Sequence, residues 1–219
     1  MYKYSNKKYN ELLFKMGIIR IGTLYDFRSS EHKEGISDPS EGIKTIIHNK
    51  NLKIDSMMNL SKEQESILKG YEELGAFKIG KNCKNITIIN NQVKKQINSD
   101  DLFIYCTASK FNIITEFEKY DSCYKITHPN EFYNEVTIAL NKIKPVRFLG
   151  FYEVTYKNRT EEWIENGNKL HPALIKGLEY SNQAEIRAIW EPLDKSKGIE
   201  PIKLASYKLG KYMQPQLLI

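Results

Sequence analysis

Tyr180-Ser181-Asn182-Gln183-Ala184-Glu185-Ile186-Arg187-Ala188-Ile189-Trp190 decides the reading of this chain. From Ala184 onward, small or apolar residues alternate with polar ones, the signature of a strand with one face buried. Ala184, Ile186, Ala188 and Trp190 are expected to face a core. Gln183, Glu185 and Arg187 are expected to share the opposite face, because side chains at i and i+2 project the same way. A carboxylate, an amide and a guanidinium then line up at the mouth of one strand, with Tyr180 just ahead. Such a group suits a sugar hydroxyl and a developing cation. The same alternation also suits an edge strand with a solvated polar face, where a Glu–Arg pair is worth little.

Working outward, the rest of the chain mixes helical and extended signals. Tyr2-Lys3-Tyr4 opens a strand. Ser5 or Asn6 caps a helix whose apolar stripe is Tyr9, Leu12, Leu13 and Met16, and Gly17 suits the left-handed position that closes it. Ile18 to Phe27 reads as extended, and 28–42 as a polar loop containing Asp38-Pro39-Ser40-Glu41. Ile43 to Ile47 reads as a short strand. Ser61-Lys62-Glu63-Gln64 is a capping box before a helix lined by Ile67, Leu68, Tyr71 and Leu74. Residues 86–89 and 92–97 read as strands flanking an Asn90-Asn91 turn. Residues 102–109 and 121–127 read as buried strands. Pro129 begins a helix with Phe132, Val136, Ala139, Leu140 and Ile143 inside. Val146 to Tyr156 reads as one long strand, 161–165 and 170–177 as short helices, and 202–207 as a last strand. Strands outnumber helices without alternating with them, so the expectation is α+β rather than a doubly wound parallel sheet.

Composition bounds the rest. The chain has 219 residues, 41% hydrophobic and 27% charged, with a formal net charge of +6. That length suits a single domain over 1–219 with one sizeable core, or a domain carrying an inserted subdomain. No apolar run approaches the roughly 20 residues that span a bilayer, and Met1-Tyr2-Lys3-Tyr4 starts no secretory signal, so the expected location is cytoplasmic without a membrane partner. Cys83, Cys106 and Cys123 have no metal spacing, and His32, His48, His128 and His171 form no ligand pair, so no metal is expected. The positive charge is compatible with a nucleic-acid partner.

The spacing aromatic-x-x-Gln-x-Glu, here Tyr180, Gln183 and Glu185, resembles the signature of the mono-ADP-ribosyltransferase superfamily. The chain is also similar to a large bacterial family of uncharacterised ADP-ribosyltransferase-like proteins. That likeness rests on Tyr2-Lys3-Tyr4, Asp38-Pro39-Ser40-Glu41 and the stretch from Tyr180 to Arg187, in that order. The resemblance implies a split antiparallel β-sandwich with peripheral helices and NAD as co-substrate. It gives Glu185 the catalytic contact with the ribose and Gln183 the choice of acceptor. Tyr180 and Arg187 fall on the substrate side.

Two further signatures of that superfamily have candidates. Thr107 and Ser109, at the end of the 102–109 strand, correspond to hydroxyls that shape the nicotinamide pocket, with Ala108 in place of the middle one. An early-strand Arg that contacts NAD corresponds either to Arg20 or, on the strand preceding the first helix, to Lys3 or Tyr4. The implied activity is transfer of ADP-ribose to a macromolecule, nucleic acid or protein, by a toxin or phage-defence effector with a neutralising antitoxin as partner. The alternatives are a non-catalytic module of the same fold that binds a nucleotide or nucleic acid, and a basic nucleic-acid binder with no NAD role.

Overall fold

The computed structural model describes residues 1–29, 37–111 and 120–217. In chain order they form β1 (Tyr2–Ser5), α1 (Lys7–Met16), β2 (Ile18–Thr23), β3 (Ile43–His48), β4 (Leu52–Ser56), α2 (Lys62–Glu73), β5 (Lys84–Ile88), β6 (Val93–Asn98), β7 (Phe103–Ala108) and β8 (Ser122–Ile126). Then come α3 (Pro129–Asn141), β9 (Val146–Glu153), β10 (Thr155–Tyr156), β11 (Thr160–Glu162), β12 (Ile175–Lys176), β13 (Glu185–Pro192), β14 (Ile202–Ala205) and β15 (Met213–Gln216). Short 3-10 turns at Asp26–Arg28, Pro172–Leu174, Leu178–Gln183 and Leu209–Tyr212 join them. The mixture is α+β, with mostly antiparallel pairing.

The chain divides into two compact units. One comprises Met1–Gly42, Asp100–Lys157 and Ala173–Ile219; the other comprises Ile43–Ser99 and Asn158–Pro172.

The first unit is built on one large antiparallel sheet. β7 pairs along its whole length with β13, from Glu185 opposite Ala108 to Trp190 opposite Phe103, and β13 pairs in turn with β9. The other edge of β7 is shared: β2 pairs at Phe103 and Ile104, and β1 pairs at Ala108. Between those two points the strands part, and the Lys3 ammonium donates to the Cys106 carbonyl at 2.9 Å. β14 continues outward from β2, and β8 and β15 continue from β1.

One face of this sheet carries the main apolar core. Phe103 and Tyr105 from β7, with Ala188 and Trp190 from β13, pack with Phe132, Tyr133, Val136 and Leu140 of α3. Ile186 is buried as well. The alternation read in the sequence therefore holds for these three residues of β13. It fails at Ala184, which adopts φ 43 and terminates the 3-10 turn Leu178–Gln183, so the strand starts at Glu185.

Local signals worked where one residue sets the geometry. Gly17 closes α1 at φ 65, and a Cβ there would sit 1.7 Å from the Ser206 carbonyl oxygen. Pro129 occupies the first turn of α3. The expected α1 stripe is corrected, because Tyr9 and Met16 are exposed. The inner face keeps Leu13 of that stripe and adds Asn10, whose amide donates to Ser122 Oγ at 3.1 Å and the Lys3 carbonyl at 3.3 Å. Ile143, expected inside, lies beyond the end of α3 and is exposed.

In the second unit, β3 lies between β6, antiparallel, and β11, parallel, while β4 and β5 form a separate antiparallel pair. The capping box of α2 is formed in both directions, Gln64 N–H to Ser61 Oγ at 3.1 Å and Ser61 N–H to Gln64 Oε1 at 2.8 Å. His48 packs edge-on against Tyr71 and Trp163. Strands β5 and β6 flank the Asn90-Asn91 turn but do not pair with each other. The helices expected at 161–165 and 170–177 are replaced by β11, a 3-10 turn and β12, because parallel pairing with β3 and β10 claims those residues.

Candidate functional site

Glu185 and Arg187 do share one face of β13, and that face is buried. Arg187 lies across from Cys106 and Glu185 across from Ala108. A guanidinium enters a protein interior only when its charge is paired and its donors are used. Arg187 Nε donates to Glu185 Oε1 at 2.7 Å. Nη1 and Nη2 donate to the two oxygens of Glu41 at 2.8 and 2.9 Å, a bidentate pair, and Nη1 also donates to the Ala173 carbonyl at 2.6 Å.

Glu41 is delivered by the Asp38-Pro39-Ser40-Glu41 turn. Asp38 Oδ1 accepts from the Ser40 N–H at 3.0 Å, and the Asp38 carbonyl accepts from the Glu41 N–H at 2.9 Å. The Arg28 guanidinium holds the Glu41 carbonyl at 2.7 Å. That turn was legible in the sequence, but its partnership with Arg187 was not.

The second oxygen of Glu185 belongs to Lys176. From β12, the Lys176 ammonium donates to Glu185 Oε2 at 2.9 Å and to Gln183 Oε1 at 2.7 Å, and stands 4.8 Å from the centre of the Tyr180 ring. Tyr156 Oη accepts from the Glu185 backbone N–H at 2.7 Å. Two carboxylates and two cations thus form a neutral cluster, which is the condition for burying four charges together.

The protonation states follow from this packing. Burial alone would raise the Glu185 pKa, but Arg187 and Lys176 together outweigh it and hold the carboxyl well below the usual range. Burial likewise opposes the charge on Lys176, and Glu185 and Glu41 together more than compensate, so its pKa is raised. Burial and the Glu185 charge push the Cys106 thiol far up, which keeps it a neutral thiol rather than a nucleophile. Burial raises the Tyr156 phenol too. At neutral pH the cluster is therefore a fixed carboxylate between two fixed cations.

Burial falls off from one end of the cluster to the other. Glu41, Arg187, Lys176 and Glu185 are buried, whereas Gln183 and Tyr180 are half-buried and Ser181 and Asn182 are exposed. Tyr180 Oη donates to the Ser37 carbonyl at 3.1 Å, which pins the less buried end.

The other sequence candidates distribute as follows. Tyr4 is buried against Ala108 and Cys123, on the side of the sheet that carries Glu185. Lys3 reaches into the parting between β1 and β2 and lies over the Tyr105 ring at 4.4 Å. Thr107 faces the other way. It is one residue out of step with Ala108, and its hydroxyl donates to the Ile186 carbonyl at 3.4 Å and meets Tyr133 Oη at 3.5 Å, inside the α3 core. Ser109 is half-buried, and its backbone N–H donates to the Ala184 carbonyl at 2.8 Å. Arg20 lies on an exposed position of β2, and Asp26 takes its guanidinium at 2.8 and 3.0 Å. The structure thus brings together Tyr180, Gln183, Glu185 and Arg187, places Tyr4 on the same side, and leaves the Thr107 and Arg20 side chains engaged elsewhere.

Lys176 was missed. Its one signal in sequence is a charged residue in the otherwise apolar Leu174-Ile175-Lys176-Gly177. Among the described residues there is no group of His, Cys, Asp and Glu that could hold a metal ion, and no helix long and apolar enough to cross a membrane. The fold and site define an α+β protein with a buried, charge-balanced carboxylate at the mouth of a central strand. No protein-family model, curated protein or solved structure matches the chain.

Proposed function

We propose that the chain is an NAD-dependent mono-ADP-ribosyltransferase of the split β-sandwich type, acting on a macromolecule, and that Glu185 is its catalytic carboxylate. One observation carries this reading: a buried carboxylate held ionised within a charge-balanced cluster, with the half-buried Gln183 and Tyr180 beside it.

In the reaction, the bond between ribose C1′ and the nicotinamide nitrogen breaks. Its electron pair leaves with nicotinamide and neutralises the pyridinium. An acceptor oxygen or nitrogen then bonds to C1′ and gives up its proton to solvent. The sugar passes through an oxocarbenium-like state, which a fixed anion stabilises more than it stabilises the ground state. Arg187, itself gripped by Glu41, holds Glu185, so the carboxylate itself need not move as charge develops. Gln183 orients the acceptor through its amide, which cannot take a proton at neutral pH. A role as toxin or phage-defence effector, with an antitoxin as partner, follows from fold-level analogy alone.

The test uses NAD labelled on the adenylate phosphate, incubated with the purified chain and with bulk RNA, DNA or cell lysate. Label is expected in one macromolecular fraction with wild type and in none with Glu185→Gln. Equal labelling by both proteins would remove Glu185 from the chemistry.

A second reading has its own observation. Both oxygens of Glu185 are already taken, by Arg187 and Lys176, as expected of a non-catalytic module of this fold that binds a nucleotide or nucleic acid. NAD binding by calorimetry, without nicotinamide release, would select it.

A further inference from the structure

The acceptors around the Lys176 ammonium make a seat of definite chemistry. Glu185 Oε2 is anionic, Gln183 Oε1 is a neutral amide oxygen, and the Tyr180 ring offers its face. A carboxylate, a carbonyl and an aromatic face together bind a primary ammonium or another compact cation. Arg187 does not compete for this seat, because Glu41 holds it bidentately from the opposite side and it touches only Oε1 of Glu185.

Lys176 enters from β12, a two-residue strand whose only ladder partner among the described residues is the two-residue β10. Its seat partners are all side chains with rotatable bonds. While Lys176 is seated, the cluster is neutral. A cation forming beside Glu185 would then face an ammonium on the same carboxylate. With Lys176 withdrawn, the cluster carries one net negative charge at Glu185, the arrangement that favours a developing cation.

We infer that Glu185, Gln183 and Tyr180 form a cation seat filled in the resting protein by Lys176, and that Lys176 must vacate it before NAD is turned over. This rests on the transferase reading. Lys176 is a positioning residue that acts through Glu185 and occupies the place of the substrate's ribosyl cation.

The experiment measures initial rates of nicotinamide release from saturating NAD by the full chain as wild type, Lys176→Ala, Lys176→Met and Lys176→Arg, each with a cooperative melt. The near-isosteric methionine keeps the packing of the stem if alanine does not. Alanine and methionine are expected to raise the rate about tenfold or more, and arginine to leave it near wild type. Propylammonium chloride should return Lys176→Ala toward the wild-type rate, while sodium chloride at equal ionic strength should not. A purely structural lysine would show no such suppression, and a lysine that assists the chemistry would show the opposite sign, a slow variant rescued by the amine. Release by wild type with no gain in the alanine and methionine variants overturns the inference alone. No release by any folded protein overturns the inference and the transferase reading together.

Discussion

Among the described residues each compact unit buries one lysine against a strand, and the two are held differently. In the second unit Lys44 of β3 donates to the carbonyls of Asn168 and Leu170 at 2.5 and 2.8 Å, with Glu161 at 3.9 Å. In the first unit Lys176 donates to the side chains of Gln183 and Glu185. Backbone carbonyls cannot turn away without moving the chain, so Lys44 fastens the returning segment 158–172 to β3. Side-chain acceptors can exchange one partner for another. A buried charge held by backbone is a fastener, whereas one held by side chains is a candidate for exchange.

The largest effect that sharpens this contrast is expected at Arg187. Arg187→Met leaves Glu41 without its bidentate partner and removes one of the two cations on Glu185. Breaking a buried ion pair costs about 3–5 kcal/mol, so this single change should lower stability the most. Urea unfolding measures it, and a wild-type midpoint would mean that the cluster does not hold the first unit together. Arg187→Lys should recover little of the loss, because an ammonium cannot make the fork to both Glu41 oxygens.

Lys44→Met comes next. It removes the donor of two part-buried carbonyls, at roughly 1 kcal/mol each, so unfolding should shift to lower urea. The rate of nicotinamide release per folded molecule should stay at the wild-type value. A faster rate in this variant, or no loss of stability, would break the comparison between the two lysines.

The acid side gives a smaller, signed effect. The folded pKa of Glu185 is depressed, so its charge contributes stability fully above the unfolded value of about 4.3 and loses that contribution as pH falls toward the folded value. The stability gap between wild type and Glu185→Gln should therefore be full at neutral pH and shrink below pH ~4. A gap that widens in acid would contradict the ionised cluster. The smallest effect is expected at Arg20, whose exposed pair with Asp26 is worth about 1 kcal/mol or less, so Arg20→Ala should melt near wild type.

Where one residue dictates the backbone, the sequence could be read directly. Gly17, Pro129 and the Ser61–Gln64 box each end or start a helix for reasons contained in a few residues. The common face of Glu185 and Arg187 followed from strand alternation, and the buried Ile186, Ala188 and Trp190 followed with it. Alternation misled at Ala184, because a left-handed alanine has no sequence signal, and Gln183 sits on a turn rather than on the strand. It misled on α1 as well, since a buried polar Asn10 is invisible to an apolar stripe.

What stayed hidden was long-range. Glu41 meets Arg187 across 146 positions, and β11 pairs with β3 across more than a hundred, so neither leaves a local trace. Lys176 is nine residues from Glu185, yet only the backbone path through β12 and the following 3-10 turn brings their side chains together. The residue types of the site were therefore legible in part, while the charge balance that fixes their states needed the fold.

The central claim is that the Glu185 carboxylate serves the cleavage of NAD. The most direct measurement is nicotinamide release by wild type and Glu185→Gln, with matched melts, over the same range of NAD concentration. The account predicts release by wild type and none above the uncatalysed rate by the variant. Equal release by both proteins, or none by a fully folded wild type under any of the acceptor conditions, would contradict it.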